Sequence, residues 1–124
     1  MRKIISTNNA PKAVGPYSQA IEANGTLYVS GQLPVNPTDG SVSESIEAQT
    51  EQSLKNIGAI LTEAGYTYKD VVKSTVLLTD MNDFAAMNAV YARFYTEQMP
   101  ARVCYQVAKL PMGVKVEIET VAVK

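Results

Sequence analysis

The 124 residues carry 46% hydrophobic side chains, 11 Lys and Arg against 12 Asp and Glu, one cysteine and no histidine. That length fits one domain, residues 1–124, with a real core, and scattered charges summing to −1 argue against a nucleic-acid partner. The missing imidazole removes Ser-His-Asp triads, Cys-His dyads and His-ligated zinc, so any chemistry falls to Arg, Glu, Cys, Tyr and ordered water.

Apolar runs are far shorter than the ~20 residues of a membrane helix, so no membrane association is expected. The N-terminus has no apolar stretch of the secretory kind, and a lone cysteine cannot form an internal disulfide. A cytoplasmic location is the expectation.

In chain order, residues 3–7 read as a short first strand and residues 8–17 as a loop punctuated by Pro11, Gly15 and Pro16. Residues 19–23 and 26–31 flank Asn24-Gly25, a strong signal for a two-residue hairpin turn. A second loop holds Pro34, Pro37 and Gly40. The run Ser41-Val42-Ser43-Glu44 fits a capping box, followed by Ile46, Thr50, Leu54, Ile57, Leu61 and Ala64 at helical spacing, with Gly65 as the stop.

Residues 71–78 form a β-branched strand, and residues 83–98 a second helix with Phe84, Met87, Tyr91, Phe94 and Tyr95 on one face, closed by Pro100. Strands at 101–108 and 114–123 finish the chain. The order βββαβαββ predicts an α+β domain with one six-stranded mixed sheet and two helices on one face. Val71-Val72, Val76-Leu77-Leu78 and Val121-Ala122-Val123 are apolar on both sides of their strands. The uncovered face therefore needs a second cover, which copies of the chain can supply.

Six positions are chemical candidates. Arg102 opens a strand, where it is either a surface arginine paired with a helix carboxylate or a bidentate clamp on a small carboxylate. Glu117 and Glu119 alternate with apolar residues and share one strand face, as a solvated edge or as proton-handling groups. Cys104, on the strand face of Arg102, is a small buried hydrophobe or a pocket wall; nothing adjacent in sequence would lower its pKa. Asn88 breaks an apolar helix stripe as a satisfied amide or a ligand contact. Gly31, after Ser30, ends a strand or admits a ligand close to the backbone.

The segments Gly15-Pro16-Tyr17-Ser18-Gln19, Ser30-Gly31-Gln32-Leu33-Pro34, Asn82-Asp83-Phe84 with Asn88, and above all Pro100-Ala101-Arg102-Val103-Cys104 through Val116-Glu117-Ile118-Glu119 resemble the Rid (YjgF-type, reactive intermediate deaminase) family nearly end to end. The resemblance implies a chorismate-mutase-like fold, a homotrimer whose sheets form a central barrel, clefts between subunits, and no metal or organic cofactor. It implies hydrolysis of 2-aminoacrylate and related 2-imino acids to 2-keto acids and ammonia. Arg102 would then hold the substrate carboxylate and Glu117 would handle the attacking water. Cys104 would line the pocket, Tyr17 with Ser30 and Gly31 would close it, and Asn88 would support it.

Val103, Tyr105 and Met112-Gly113 depart from common family residues, with Val103 and Tyr105 expected to point away from the Arg102 face. The alternative to an enzyme is a regulator that binds 2-keto acids without turnover; both readings need Arg102 and only catalysis needs Glu117. A ribonuclease sits badly with an acidic chain that lacks histidine.

Overall fold

A computed structural model describes all residues, Met1 to Lys124. The elements are β1 (Arg2–Ile5), β2 (Ala20–Ala23), β3 (Thr26–Gln32), α1 (Ile46–Ala64), β4 (Val71–Leu78), α2 (Phe84–Phe94), β5 (Ala101–Gln106) and β6 (Val116–Val123), in the expected βββαβαββ order. They form one six-stranded sheet in the order β1-β2-β3-β6-β4-β5. All pairings are antiparallel except β4 with β5, which makes the sheet mixed. No helix is long and apolar enough to cross a membrane.

Local chemistry explains most element ends. Asn24 and Gly25 both sit at positive φ (51° and 78°), the requirement of the tight turn joining β2 to β3. Gly65 takes the left-handed conformation (φ 82°) that ends α1, with the Tyr66 N–H donating back to the Leu61 carbonyl at 2.8 Å.

The expected capping box at residues 41–44 is not formed. Ser41 instead closes a loop turn, its N–H and hydroxyl both donating to Asp39 Oδ1. The Ser43 carbonyl accepts from the Gln49 side chain. Ser45 is the cap, its hydroxyl accepting from the Ala48 N–H at 3.1 Å. The second helix is also shorter than its periodicity predicts, ending at Phe94 rather than Gln98. Tyr95 turns out of the helix (φ −118°, ψ 90°) and buries its ring edge-on against Tyr68, centroids 5.7 Å apart. Burial of an aromatic ring outweighs one more helical turn.

Both helices cover the same sheet face. Leu54 and Ile57 of α1 and Met87 and Tyr91 of α2 join Leu27, Val29, Val76, Val116 and Ile118 in one core. The opposite face is bare, and apolar side chains stand on it: Ile4 is 62% exposed, Tyr28 53%, Tyr105 49% and Val123 46%. Its residues were expected to need cover, and within one chain they have none.

The N-cap supplies a stability test. Ser45→Ala removes the acceptor for the Ala48 N–H and should lower unfolding stability by ~1 kcal/mol, read from urea denaturation midpoints at unchanged m-value.

Candidate active site

Strand β5 lies at the sheet edge, paired in parallel with β4 so that Ser74 adjoins Arg102, Val76 adjoins Cys104 and Leu77 adjoins Tyr105. Side chains of adjoining residues share a face, so Arg102 and Cys104 point to the helix side, where Ser74 and Val76 are buried. Val103 and Tyr105 point to the bare side, as the alternation predicts. Arg102 Nη1 donates to Asn88 Oδ1 at 2.6 Å. Its guanidinium carbon lies 4.8 Å from the Tyr91 ring centroid and 5.6 Å from that of Phe84.

No carboxylate pairs with Arg102; the ion pairs of the chain are Lys55–Glu51 and Arg93–Glu51. Of its two readings, the arginine paired with a helix carboxylate is not found. Instead it borders an open cleft of about 440 Å³ with Asn88, Tyr91, Met99 and Pro100. Cys104 is half-buried beside it. Burial pushes the thiol's pKa up and the Arg102 charge only partly opposes this, so the sulfur stays protonated at neutral pH.

Glu117 lies elsewhere. β5 does not pair with β6, because β4 runs between them. Leu77 adjoins Glu117 on one side and Tyr105 on the other, which places Glu117 on the bare face, opposite to Arg102. Glu119 adjoins Thr75 on that same face. The juxtaposition of Arg102 with Glu117 through a direct β5–β6 pairing is therefore not made within a chain.

The pairing of β3 with β6 is irregular between Val29 and Gln32. Gly31 sits in that irregularity with the Glu117 carboxylate directly over its Cα, and a Cβ there would overlap Glu117 Oε2. Glycine admits the close approach. Ser30 hydrogen-bonds Ser18, its hydroxyl donating to that carbonyl at 2.6 Å. Tyr17, 51% exposed, overhangs a cleft of about 520 Å³ with Ser30, Gly31, Leu33, Glu117 and Glu119. Burial, and then the neighbouring Glu119 charge, raises the Glu117 pKa above the ordinary glutamate value.

The structure thus splits the expected residues into two sets. Arg102, Cys104 and Asn88 form one half-site; Glu117, Tyr17, Ser30 and Gly31 form another across the sheet. Each cleft is open and far larger than a three- or four-carbon acid, so neither encloses such a molecule alone. No group of three or more His, Cys, Asp or Glu side chains is gathered to hold a metal ion.

Three contributors carry no recognisable signal in the sequence. Periodicity assigns Tyr91 and Phe84 to the apolar helix face, yet Phe84, Asn88 and Tyr91 follow the i, i+4, i+7 spacing that puts them under one guanidinium. Buried Gln19 ties down the loop that carries Tyr17: its Oε1 accepts from the Thr7 N–H at 2.7 Å and its Nε2 donates to the Thr7 and Pro11 carbonyls at 3.1 and 2.8 Å. A lone glutamine gives no sequence signal for that role.

A family model described as Endoribonuclease L-PSP matches residues 7–124. The 2-iminobutanoate/2-iminopropanoate deaminase of Salmonella typhimurium is 49% identical over 127 residues, an alignment that takes in 100% of this chain and 99% of that protein. Among solved structures, the YjgF gene product of Escherichia coli superposes with a TM-score of 0.96 at 48% identity, covering 98% of each chain. Escherichia coli TdcF, solved with bound serine, superposes with a TM-score of 0.96 at 45% identity, again covering 98% of each.

The raised Glu117 pKa has a signed consequence for stability. Its favourable, protonated state is fully populated below the unfolded glutamate pKa, and that contribution is lost as pH rises through the higher folded value. Glu117→Gln should therefore be more stable than wild type at neutral pH and lose that advantage in acid below the ordinary glutamate range. Urea unfolding of both proteins across that range, at one protein concentration, reads the difference.

Proposed function

The chain belongs to the Rid (YjgF-type) family, and from that premise we propose that it acts as a 2-iminobutanoate/2-iminopropanoate deaminase, with a site completed between copies. The observation that carries the assembly is the separation of its two half-sites. An arginine with no carboxylate partner faces one side of the sheet, and a half-buried carboxylate of raised pKa faces the other. β5 is an edge strand, so a neighbouring copy can lap past it and bring its own Glu117, Tyr17 and Gly31 to the first copy's Arg102. The bare apolar face supplies the driving force for such packing, and in this reading the assembly is a homotrimer of cytoplasmic chains.

In the reaction, the Arg102 guanidinium takes the substrate carboxylate. Asn88 occupies one N–H edge, which leaves the rest of the planar group to form charge-assisted hydrogen bonds. An imine carbon is already electrophilic, so the protein has only to orient it, deliver water and move protons. Glu117, as carboxylate, accepts a proton while water adds its oxygen to C2. That proton passes to the imine nitrogen, giving a carbinolamine, and the proton of the new hydroxyl follows through the same carboxylate to that nitrogen as the C–N bond breaks, releasing ammonia and the 2-keto acid. A carboxyl pKa raised toward neutrality suits both transfers. The Cys104 thiol lines the pocket without attacking. The word endoribonuclease in the family description finds little support here, since a chain of net charge −1 without histidine offers RNA no basic track.

A sensor and an enzyme differ at Glu117. Arg102→Ala and Arg102→Lys should each weaken pyruvate or 2-oxobutyrate binding by at least about tenfold in calorimetry, because charge-assisted bonds are worth ~1.5–3 kcal/mol each and lysine lacks the planar arrangement. Glu117→Gln should keep that binding while turnover of 2-aminoacrylate, corrected for spontaneous decay, falls by roughly 10²–10⁴. Retained turnover would remove Glu117 from the mechanism.

Mixing tests the shared site. Arg102→Ala and Glu117→Gln chains, unfolded together in equal amounts and refolded, should recover about a quarter of wild-type activity, since about one interface in four pairs an intact Arg102 with an intact Glu117. A site wholly within one chain would recover nothing.

A further inference from the structure

Beneath Arg102 lies a feature that deaminase chemistry does not by itself require. Thr120 of β6, Ser74 of β4 and Arg102 of β5 stand side by side across the sheet, all facing the helices. Over them α2 and the residue after it place Tyr91 and Tyr95, ring centroids 4.7 Å apart. The Tyr91 and Tyr95 hydroxyls both lie against that of Ser74, and that of Tyr95 also against Thr120. All four hydroxyls are buried, and none meets full hydrogen-bond geometry with a protein partner. Apolar side chains would fill these positions at lower cost, because a buried hydroxyl without a bond loses its hydration.

Their placement accounts for them. Tyr91 is clasped at both ends: its hydroxyl sits in the polar row, and its ring face lies 4.8 Å under the guanidinium carbon of Arg102. Tyr95 flanks the ring, itself held edge-on by Tyr68. With Asn88 on one N–H edge, Arg102 has a floor and one wall.

We propose that Tyr91 is a positioning residue for the carboxylate clamp: its ring carries the Arg102 guanidinium by a cation–π contact, and the Ser74–Thr120 hydroxyl row sets the height and tilt of that ring. Burial raises the Tyr91 phenol's pKa, so the ring stays neutral across the working pH range. The proposal rests on the reading of Arg102 as the carboxylate clamp and names what aims it. A platform of this kind binds a flat cation without neutralising it, so the full charge remains for the substrate. An acidic partner would have cancelled it.

The test reads the ring and the clamp separately. Tyr91→Leu should raise the dissociation constant for 2-oxobutyrate by about 2- to 30-fold, the equivalent of ~0.5–2 kcal/mol at about 1.4 kcal/mol per tenfold. The same change in an Arg102→Ala background should add nothing, because Tyr91 acts through Arg102. Phenylalanine, 3,5-difluorophenylalanine and pentafluorophenylalanine at position 91 should weaken binding step by step as the ring face loses negative charge; this series also serves if Tyr91→Leu fails to fold. Unchanged affinity along the fluorinated series, or an equal Tyr91→Leu effect without Arg102, overturns the proposal.

Wild-type protein that binds no keto acid would sink the clamp reading alone. The platform would still be decided by NMR. Arg102 side-chain N–H protons should show an upfield ring-current shift that Tyr91→Leu reduces to the smaller part owed to Phe84, and a shift unchanged by Tyr91→Leu also overturns the proposal.

Discussion

Strand β4 runs between β5 and β6, and the arrangement of the candidate site residues depends on that placement. Side chains alternate across a strand and adjoining residues share a face, so the register of β4 assigns every neighbour to one side of the sheet. Ser74 adjoins Arg102 and Thr120, which puts the arginine among the helices. Leu77, three residues on and of opposite parity, adjoins Tyr105 and Glu117, which puts the carboxylate on the bare side. A slip of one residue in either pairing would exchange the faces. In the β4–β6 pairing it would bury Glu117 under α1 and push Ile118 into solvent, at a loss of core that a domain of this size could not sustain.

The same parity sets the electrostatics. A cation and an anion within one pocket neutralise each other, and each moves the other's pKa toward its charged form. Divided by the sheet, they do not. Arg102 is held by an amide oxygen and two ring faces, neither of which removes its charge. Glu117 faces burial and the charge of Glu119, both of which favour its protonated form. The chain keeps an unneutralised cation and a carboxyl of raised pKa without histidine. The cost is local: a raised carboxyl pKa and four buried hydroxyls are stability given up in the free chain.

The bare apolar face and the divided site have one explanation in the proposed assembly. Packing copies through that face covers Tyr28, Tyr105 and Val123, and it also allows one chain's Arg102 to meet another's Glu117. Assembly and catalysis would then be a single event, with isolated chains lacking a complete pocket.

Much of this was legible in the residues. Element order, the Asn24-Gly25 turn, the Gly65 stop and the limits of β4 follow from local preferences, since each depends on backbone conformations that neighbouring side chains dictate. The shared face of Arg102 with Cys104, and of Glu117 with Glu119, follows from strand alternation. What the patterns missed was a competing partner, close by for Ser41 and far along the chain for Tyr95. Ser41 was drawn from a helix cap into a loop turn by Asp39, and Tyr95 was drawn out of α2 by Tyr68. Gln19 gathers carbonyls from a loop about ten residues away. Sequence by itself determined the elements, the faces of each strand and the residues able to do chemistry, because periodicity and backbone preference act over a few residues. Only the tertiary structure decided that β4 separates Arg102 from Glu117 and that Tyr91 lies beneath the guanidinium, because strand order is set by how the whole core packs.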